Sequence, residues 1–539
     1  MAKTIQKTIL ASLIALLTAC GGGGSSSESA PVGNGDNTTN PGGESGTGGD
    51  NSGGDNGAGG DNGGGDNGTG GDNGGDSGAN LQPRTWSQPI QLSTGQLVAN
   101  SPLLSSNPNG DFLATWIEKN NDPNGFDKLF SVTGDISVLE DVANHRKLIS
   151  ENTTGLLITP MVQLVRVTDD VRGQDWQHTV RQAISDNGTA LIIWQQRTNG
   201  SNDYSLVYSM LNPNTGSWSA PVEIDTTTDG SARPFTSIHI NQSQGSGFFV
   251  TWQKRQSDTE GASHYELVAK YLNQEGQATE NLALSHNSRF AAGTVIFNTE
   301  QRHYTVSTVR YNEDVSKQLI TQYQLSVSEN GLVLNNSHDL IASERAVDSL
   351  TGVTTPNGDY LFYTEVDEYG WSSVKGLYRS DTDYTPIGPG PIESKPYHAG
   401  HLNVASSDDN KVHLVWAHRQ YEHYDTVLNE ELITAVFDRA ELVSYKELYD
   451  KSGVTYPRIQ NGFDEKLYLS WNGGNSNPKH TEYINGEWVK PTGYICDAGT
   501  ECMLSGKRDF TQSVNGEYGF AIWRTNTNSI QNTYLSFSN

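Results

Sequence analysis

Trp86-Ser87-Gln88-Pro89-Ile90-Gln91-Leu92 and Trp218-Ser219-Ala220-Pro221-Val222-Glu223-Ile224 are two copies of one short-strand signature. The second copy closes a unit in which three strands precede it. The first has no such unit before it, while the last unit of the chain stops after its third strand, Tyr534 to Ser538. The N-terminal copy is therefore expected to supply the missing fourth strand of the last unit. A ring closed in this way removes the exposed sheet edges that an open array would leave.

The unit itself recurs through the body. A short apolar strand and a turn rich in Asn, Gly and Asp lead to a second strand that ends on an aromatic residue. Trp116, Trp194, Trp252, Trp416, Trp471 and Trp523 mark the clear copies, and Thr308 and Tyr363 mark two that keep the hairpin but lose the tryptophan. Successive markers are 78, 58, 56, 55, 53, 55 and 52 residues apart. A period near 55 with four short strands per unit predicts an all-β fold, a β-propeller of four-stranded blades. The repeat count gives eight blades, with seven as the alternative if the first unit is irregular. The long first step contains an extra segment, Glu151 to Gln177, read as a loop between the first two blades. The markers recur at one place in every unit, so they are read as blade-packing residues and not as a ligand platform.

Ahead of this body, Lys3 and Lys7, an apolar run from Ile9 to Leu17 and Leu17-Thr18-Ala19-Cys20 make residues 1–20 an export signal with a lipobox. Cys20 is expected to carry lipid and to hold the protein on the cell envelope, at the outer membrane or cell surface. Residues 21–80 are almost entirely Gly, Ser, Asn, Asp and Thr, with no large apolar side chain to offset the entropy of folding, and read as a disordered tether. The propeller domain is residues 81–539.

The tether carries nine acids and no base and the signal two lysines, so the chain's net charge of -27 leaves -20 on residues 81–539. An acidic body disfavours nucleic acid as a partner, and an anionic substrate needs a local island of bases. Such an island is expected where the loops entering first strands and those leaving second strands share one face. His178, Arg181, Arg233, His239 and Arg289 stand ahead of or within first strands. Arg197, Arg255 and Arg419 stand three residues past a marker, and Arg310 two past Thr308. Apart from Arg419, these belong to the second to fourth units. His178 precedes Arg197, and His239 precedes Arg255, by 16 to 19 residues, a spacing that suits an imidazole and a guanidinium in one cleft. For a uronic-acid polysaccharide this pair suits β-elimination: arginine neutralises the carboxylate beside C5, and neutral histidine takes the C5 proton. A further His or a Tyr such as Tyr311 would protonate the leaving oxygen. The scheme requires no metal or other cofactor. Cys496 and Cys502 are expected to form a disulfide across a short loop, with a reactive thiol or metal site as the alternative.

On blade pattern, export mode and this His/Arg sector, residues 81–539 resemble the secreted β-propeller polysaccharide lyases of marine bacteria, in particular ulvan lyases of the polysaccharide lyase family 24 type. The resemblance implies cleavage between sulfated rhamnose and a uronic acid, with His and Tyr as acid and base. Carried to this sequence, His178 is the first candidate for acid or base. His239 falls where a catalytic Tyr is expected, and Arg255 and Arg310 are the neutralisers. Arg197, Arg233, Arg289 and Tyr311 are candidate substrate contacts. That family has seven blades against the eight units counted here. A structural calcium would be compatible with it, although no residues here mark its place. The protein is expected to act as a monomer on an anionic polysaccharide. Two other functions fit a propeller: a sialidase-like glycoside hydrolase, approximated by Ser185-Asp186-Asn187-Gly188-Thr189, and a non-catalytic glycan-binding surface lipoprotein.

Overall fold

The computed structural model describes residues 87–538 apart from internal stretches, of which 149–162, 165–179 and 489–509 are the longest. Its strands form eight blades, each an antiparallel meander running outward from a first strand to a fourth. In the third blade the four strands are Phe235–Ser243, Gly247–Ser257, Ser263–Leu272 and Leu282–Ser288. Among the described residues, one strand pairing, Ser288 with Arg310, runs from this blade to the fourth. The repeat count of eight is the architecture observed, and the seven-bladed alternative is set aside.

The closing strand is where the signature placed it. Ile90 pairs with Leu535 and Gln91 with Tyr534 beside the third strand of the last blade, Ile530–Ser538. Ser87 N–H donates to the Phe537 carbonyl at 2.7 Å and Leu92 N–H to that of Thr533 at 2.8 Å. Arg146 of the first blade fastens the exit of this strand, donating through Nε to the Leu92 carbonyl (2.7 Å) and through Nη2 to that of Ser93 (3.2 Å). Leu92 is buried with Trp116, Phe520 and Leu535, just as Ile224, its counterpart in the second blade, is buried with Phe248 and Trp252.

The apolar core is radial. Each of the seven clusters among the described residues lies between two consecutive blades. Trp116, Trp194, Trp252, Trp416 and Trp471 are all buried and each faces the preceding blade. The markers are therefore packing residues, and the period of the sequence is the period of the blade interfaces. Thr308 and Tyr363 occupy the same place and are buried too.

The two faces of the ring are built differently. On the face of the first-to-second-strand hairpins, turns interlock from blade to blade: Asn107 Nδ2 donates to the Ser185 carbonyl (2.9 Å), Gln242 Nε2 to Asp186 Oδ1 (3.1 Å), and Asn461 Nδ2 to the Ser406 carbonyl (2.6 Å). The Ser185 turn needs Gly188, whose φ is +83°. Arg181, Arg255 and Arg310 stand toward the opposite ends of their strands. There the segment between the first two blades is not loop throughout: Gln163–Leu164 pairs with Gln196 and Arg197, extending the sheet above Val180, where the first strand of the second blade starts.

Candidate functional site

Four polar side chains on first strands stand at one level of the ring. Arg181 pairs with Ile193, His239 with Thr251, Asn403 with Val415 and Arg458 with Ser470, and each partner is the residue just before a marker tryptophan. Paired residues share a sheet face, and the tryptophans face the preceding blade, so these four face the following one. In three of the blades a β-bulge sets the position. The register shifts between Thr236 and His239, between Gly400 and Asn403, and between Thr455 and Arg458. Within the bulges Ser237 (φ 48°) and His401 (φ 58°) adopt left-handed conformations. The next residues, Ile238 and Leu402, turn into the apolar layers and so re-aim the polar residue that follows.

Arg181 spans two blades. Its Nε donates to the Ile238 carbonyl of the third blade at 3.1 Å, next to His239, and its Nη1 to its neighbour Val180 at 2.9 Å. Its pKa is lowered to about 10, first because the protein encloses it and then because the positive charge of Arg458 acts on it. Arg458 belongs to the seventh blade, three steps around the ring from the second. Enclosure lowers the pKa of Arg458 as well.

The paired sequence candidates part company here. Arg255 pairs with Tyr265, four residues above the rung of His239. It lies on the same face and blade as His239 but ~13 Å further along the strand. His239 instead shares its level with Arg181. Arg310 turns to the outside of the third and fourth blades. There Asp339 accepts two bonds from Nη2 (2.8 and 3.0 Å), Thr321 Oγ1 one from Nε (2.8 Å), and the Tyr311 carbonyl one from Nη1 (3.3 Å). It lines a cleft of about 350 Å³ with His286, Tyr323, His338 and Asp339, which His239 and Arg255 do not reach. The Tyr311 hydroxyl accepts a long 3.5 Å bond from Gln318 Nε2. Arg197 is placed by its backbone alone, paired with Tyr204. His178, Arg233, Arg289, Cys20, Cys496 and Cys502 lie outside the described residues.

Two functional candidates escaped the sequence reading. Arg458 carries the charge that acts on Arg181. His398, opposite Arg419 in the sixth blade, bonds Ser372 Oγ through Nδ1 at 2.6 Å. Burial lowers its pKa, the Asp348 charge opposes that shift, and Arg419 adds to it. Arg419 itself is paired with Glu430 at 2.7 Å. A sequence signal for the inner level does exist: Arg181, His239, Asn403 and Arg458 each stand 13 residues before their tryptophan. Among the described residues, no group of three or more His, Cys, Asp or Glu is arranged to hold a metal ion.

No protein-family model and no curated protein matches this chain in sequence. In fold it is similar to the polysaccharide lyase Uly1, at 8% identity and a TM-score of 0.45, over 70% of this chain and 95% of that one. It is also similar to an ulvan lyase of polysaccharide lyase family PL25, at 8% identity and a TM-score of 0.43, over 76% and 98% of the two chains. A third likeness is to the β-propeller domain of the trilobed protease of Pyrococcus furiosus, at 11% identity and a TM-score of 0.39, over 76% and 100%.

Proposed function

We propose that the propeller is a polysaccharide lyase that cleaves a uronic-acid-containing, sulfated algal polysaccharide of the ulvan type by β-elimination. The observation that carries this reading is Arg181 of the second blade bonded beside His239 of the third, with Arg255 further along the same face. An imidazole flanked by fixed positive charge on a strongly acidic body suits an anionic sugar chain. Arg255, with Arg197, Arg233 and Arg289 along the same sector, would hold the chain's acidic groups. With the carboxylate neutralised, the C5 proton passes to the neutral imidazole, its electron pair forms the C4–C5 double bond, and the C4–O bond breaks. The leaving oxygen takes a proton from His178 or Tyr311. Arg310, already held by Asp339, is the least suited of the sequence candidates to this work.

The chain acts outside the cytoplasm in this reading, held through lipid on Cys20 by the 21–80 tether. Labelled palmitate should be incorporated, and Cys20→Ala should abolish the label.

Incubating the purified protein with ulvan tests the activity. The unsaturated uronate product absorbs near about 235 nm, and that signal should rise with a rate that falls by ~100-fold or more in His239→Ala and Arg255→Ala. New reducing ends without this absorbance would indicate hydrolysis, and binding without cleavage a capture protein. Either result overturns the reading.

A further inference from the structure

The outer cleft between the third and fourth blades has a floor made by one face of the fourth blade. Arg310 pairs with Leu319, Thr321 with Asp339 and Tyr323 with Ser337, so alternate residues of three neighbouring strands face the third blade. Leu284 and Asn287, toward the bulged end of the third blade's last strand, belong to the opposite wall. The space between them is about 350 Å³, at the small end of the range for ligand clefts. Arg310 and Thr321 hold the Asp339 carboxylate through three bonds (2.8, 3.0 and 2.6 Å), and Arg310 offsets its charge. A carboxylate has about four acceptor sites, so Asp339 keeps one that is open and already aimed by its partners. Beside it, the Ser337 hydroxyl and the Asn287 amide make no hydrogen bond among the described residues; only their backbone N–H groups are bonded.

We propose that this cleft binds an uncharged sugar residue through Asp339, Ser337 and Asn287. A sugar hydroxyl donates to the open acceptor of Asp339, and neighbouring hydroxyls exchange bonds with Ser337 and the Asn287 amide. The apolar side of the sugar ring lies on Leu284, with the buried Tyr323 ring beneath. Charge decides against the other ligand classes. An anion would meet the Asp339 carboxylate while Arg310 is already engaged by it, and a metal ion finds no group of three or more His, Cys, Asp or Glu among the described residues. Arg310 is a positioning residue here, because it fixes Asp339 and does not itself contact the sugar. The site lies apart from His239 and Arg255 and does not depend on the lyase reading. A chain that cleaves no polysaccharide can still bind a neutral sugar here.

The test uses the full chain in a sugar-free detergent and saturation-transfer NMR, which reads weak binding of small ligands. The probes are methyl galactoside, methyl mannoside and methyl rhamnoside, with methyl glucuronide as the charged counterpart. At least one neutral glycoside should give a signal that saturates, and methyl glucuronide should not displace it. Ser337→Trp fills the cleft from an exposed position and should abolish the signal. Asn287→Ala, also at an exposed position, removes one set of bonds and should weaken binding about tenfold, which keeps the proposal testable if the tryptophan variant does not fold. The signal should persist in Arg255→Ala, which separates this cleft from the proposed lyase centre. The proposal is overturned if no neutral glycoside saturates, if the glucuronide displaces it, if both cleft variants bind as the wild type does, or if Arg255→Ala abolishes binding.

Discussion

Arg310 and Arg181 are arginines on a second and a first strand, in the fourth and second blades, yet the fold gives them opposite surroundings. Arg310 meets a carboxylate, Asp339, and three of its nitrogens are bonded at the mouth of an outer cleft. Arg181 meets carbonyl dipoles and the like charge of Arg458. The first arrangement is self-sufficient, and at 25% and 41% side-chain exposure it is an ordinary surface pair. The second bonds carbonyl oxygens, which do not neutralise it, on a body with an excess of 20 acids. On such a protein, the partners of a basic residue decide whether it is structure or site.

Opening the ring should break this comparison most severely. A chain cut after Leu92, without the closing strand, loses the buried Leu92 side chain, the packing of Ile90 and the backbone bonds to Thr533 and Phe537. The loss of stability is on the order of 5 kcal/mol, measurable by denaturant unfolding. Hydrogen exchange should rise first in Ile530–Ser538 and in the first blade. The Arg310–Asp339 pair, wholly within the fourth blade, should stay protected. If exchange rises equally in the fourth blade, the closing strand does not act through the last and first blades alone.

Acid provides the next largest effect, at a point belonging to neither arginine region. His413, fully buried on the hairpin side of the sixth blade against Tyr483, bonds Ser407 Oγ at 3.2 Å. Burial pulls its pKa down to about 4, partly opposed by Asp409. The fold therefore favours neutral imidazole. Its contribution is complete above pH ~6.5 and is lost as the pH falls toward 4, amounting to about 3 kcal/mol. Stability measured against pH should show that slope in the wild type and a flatter one in His413→Gln. An unchanged slope in the variant would place the acid-sensitive group elsewhere.

Much of the ring was legible because its cause is periodic. Buried tryptophans recur at each blade interface, and one displaced copy of a strand signature located the closure at Ile90 and Gln91. The site was legible only as a sector. Arg310 and Arg181 look equivalent along the chain, and the one that resembled a substrate ligand turned out to face Asp339. Partnership across strands, such as Thr321 with Asp339 on neighbouring strands or Arg458 across the ring, depends on register. Register in turn depends on bulges at Ser237 and His401 that no local residue pattern announces. The exception is the constant spacing of 13 residues to the tryptophan, which carries the inner level through four units.

The smallest effect gives the sharpest test of what separates the two arginines. Asp339→Asn keeps the shape of the outer cleft and removes its negative charge. Because the pair is partly exposed, the stability loss should be below about 1 kcal/mol. The chemistry of Arg310 should change more than its stability. With Asp339 neutral, its guanidinium becomes more reactive to phenylglyoxal. Arg310 would then behave as a weaker copy of Arg181, since Thr321 and the Tyr311 carbonyl still hold it in place. If its reactivity stays at the wild-type level, the carboxylate is not what distinguishes the surroundings of Arg310 from those of Arg181. Some other property of the enclosed site would then have to account for the difference.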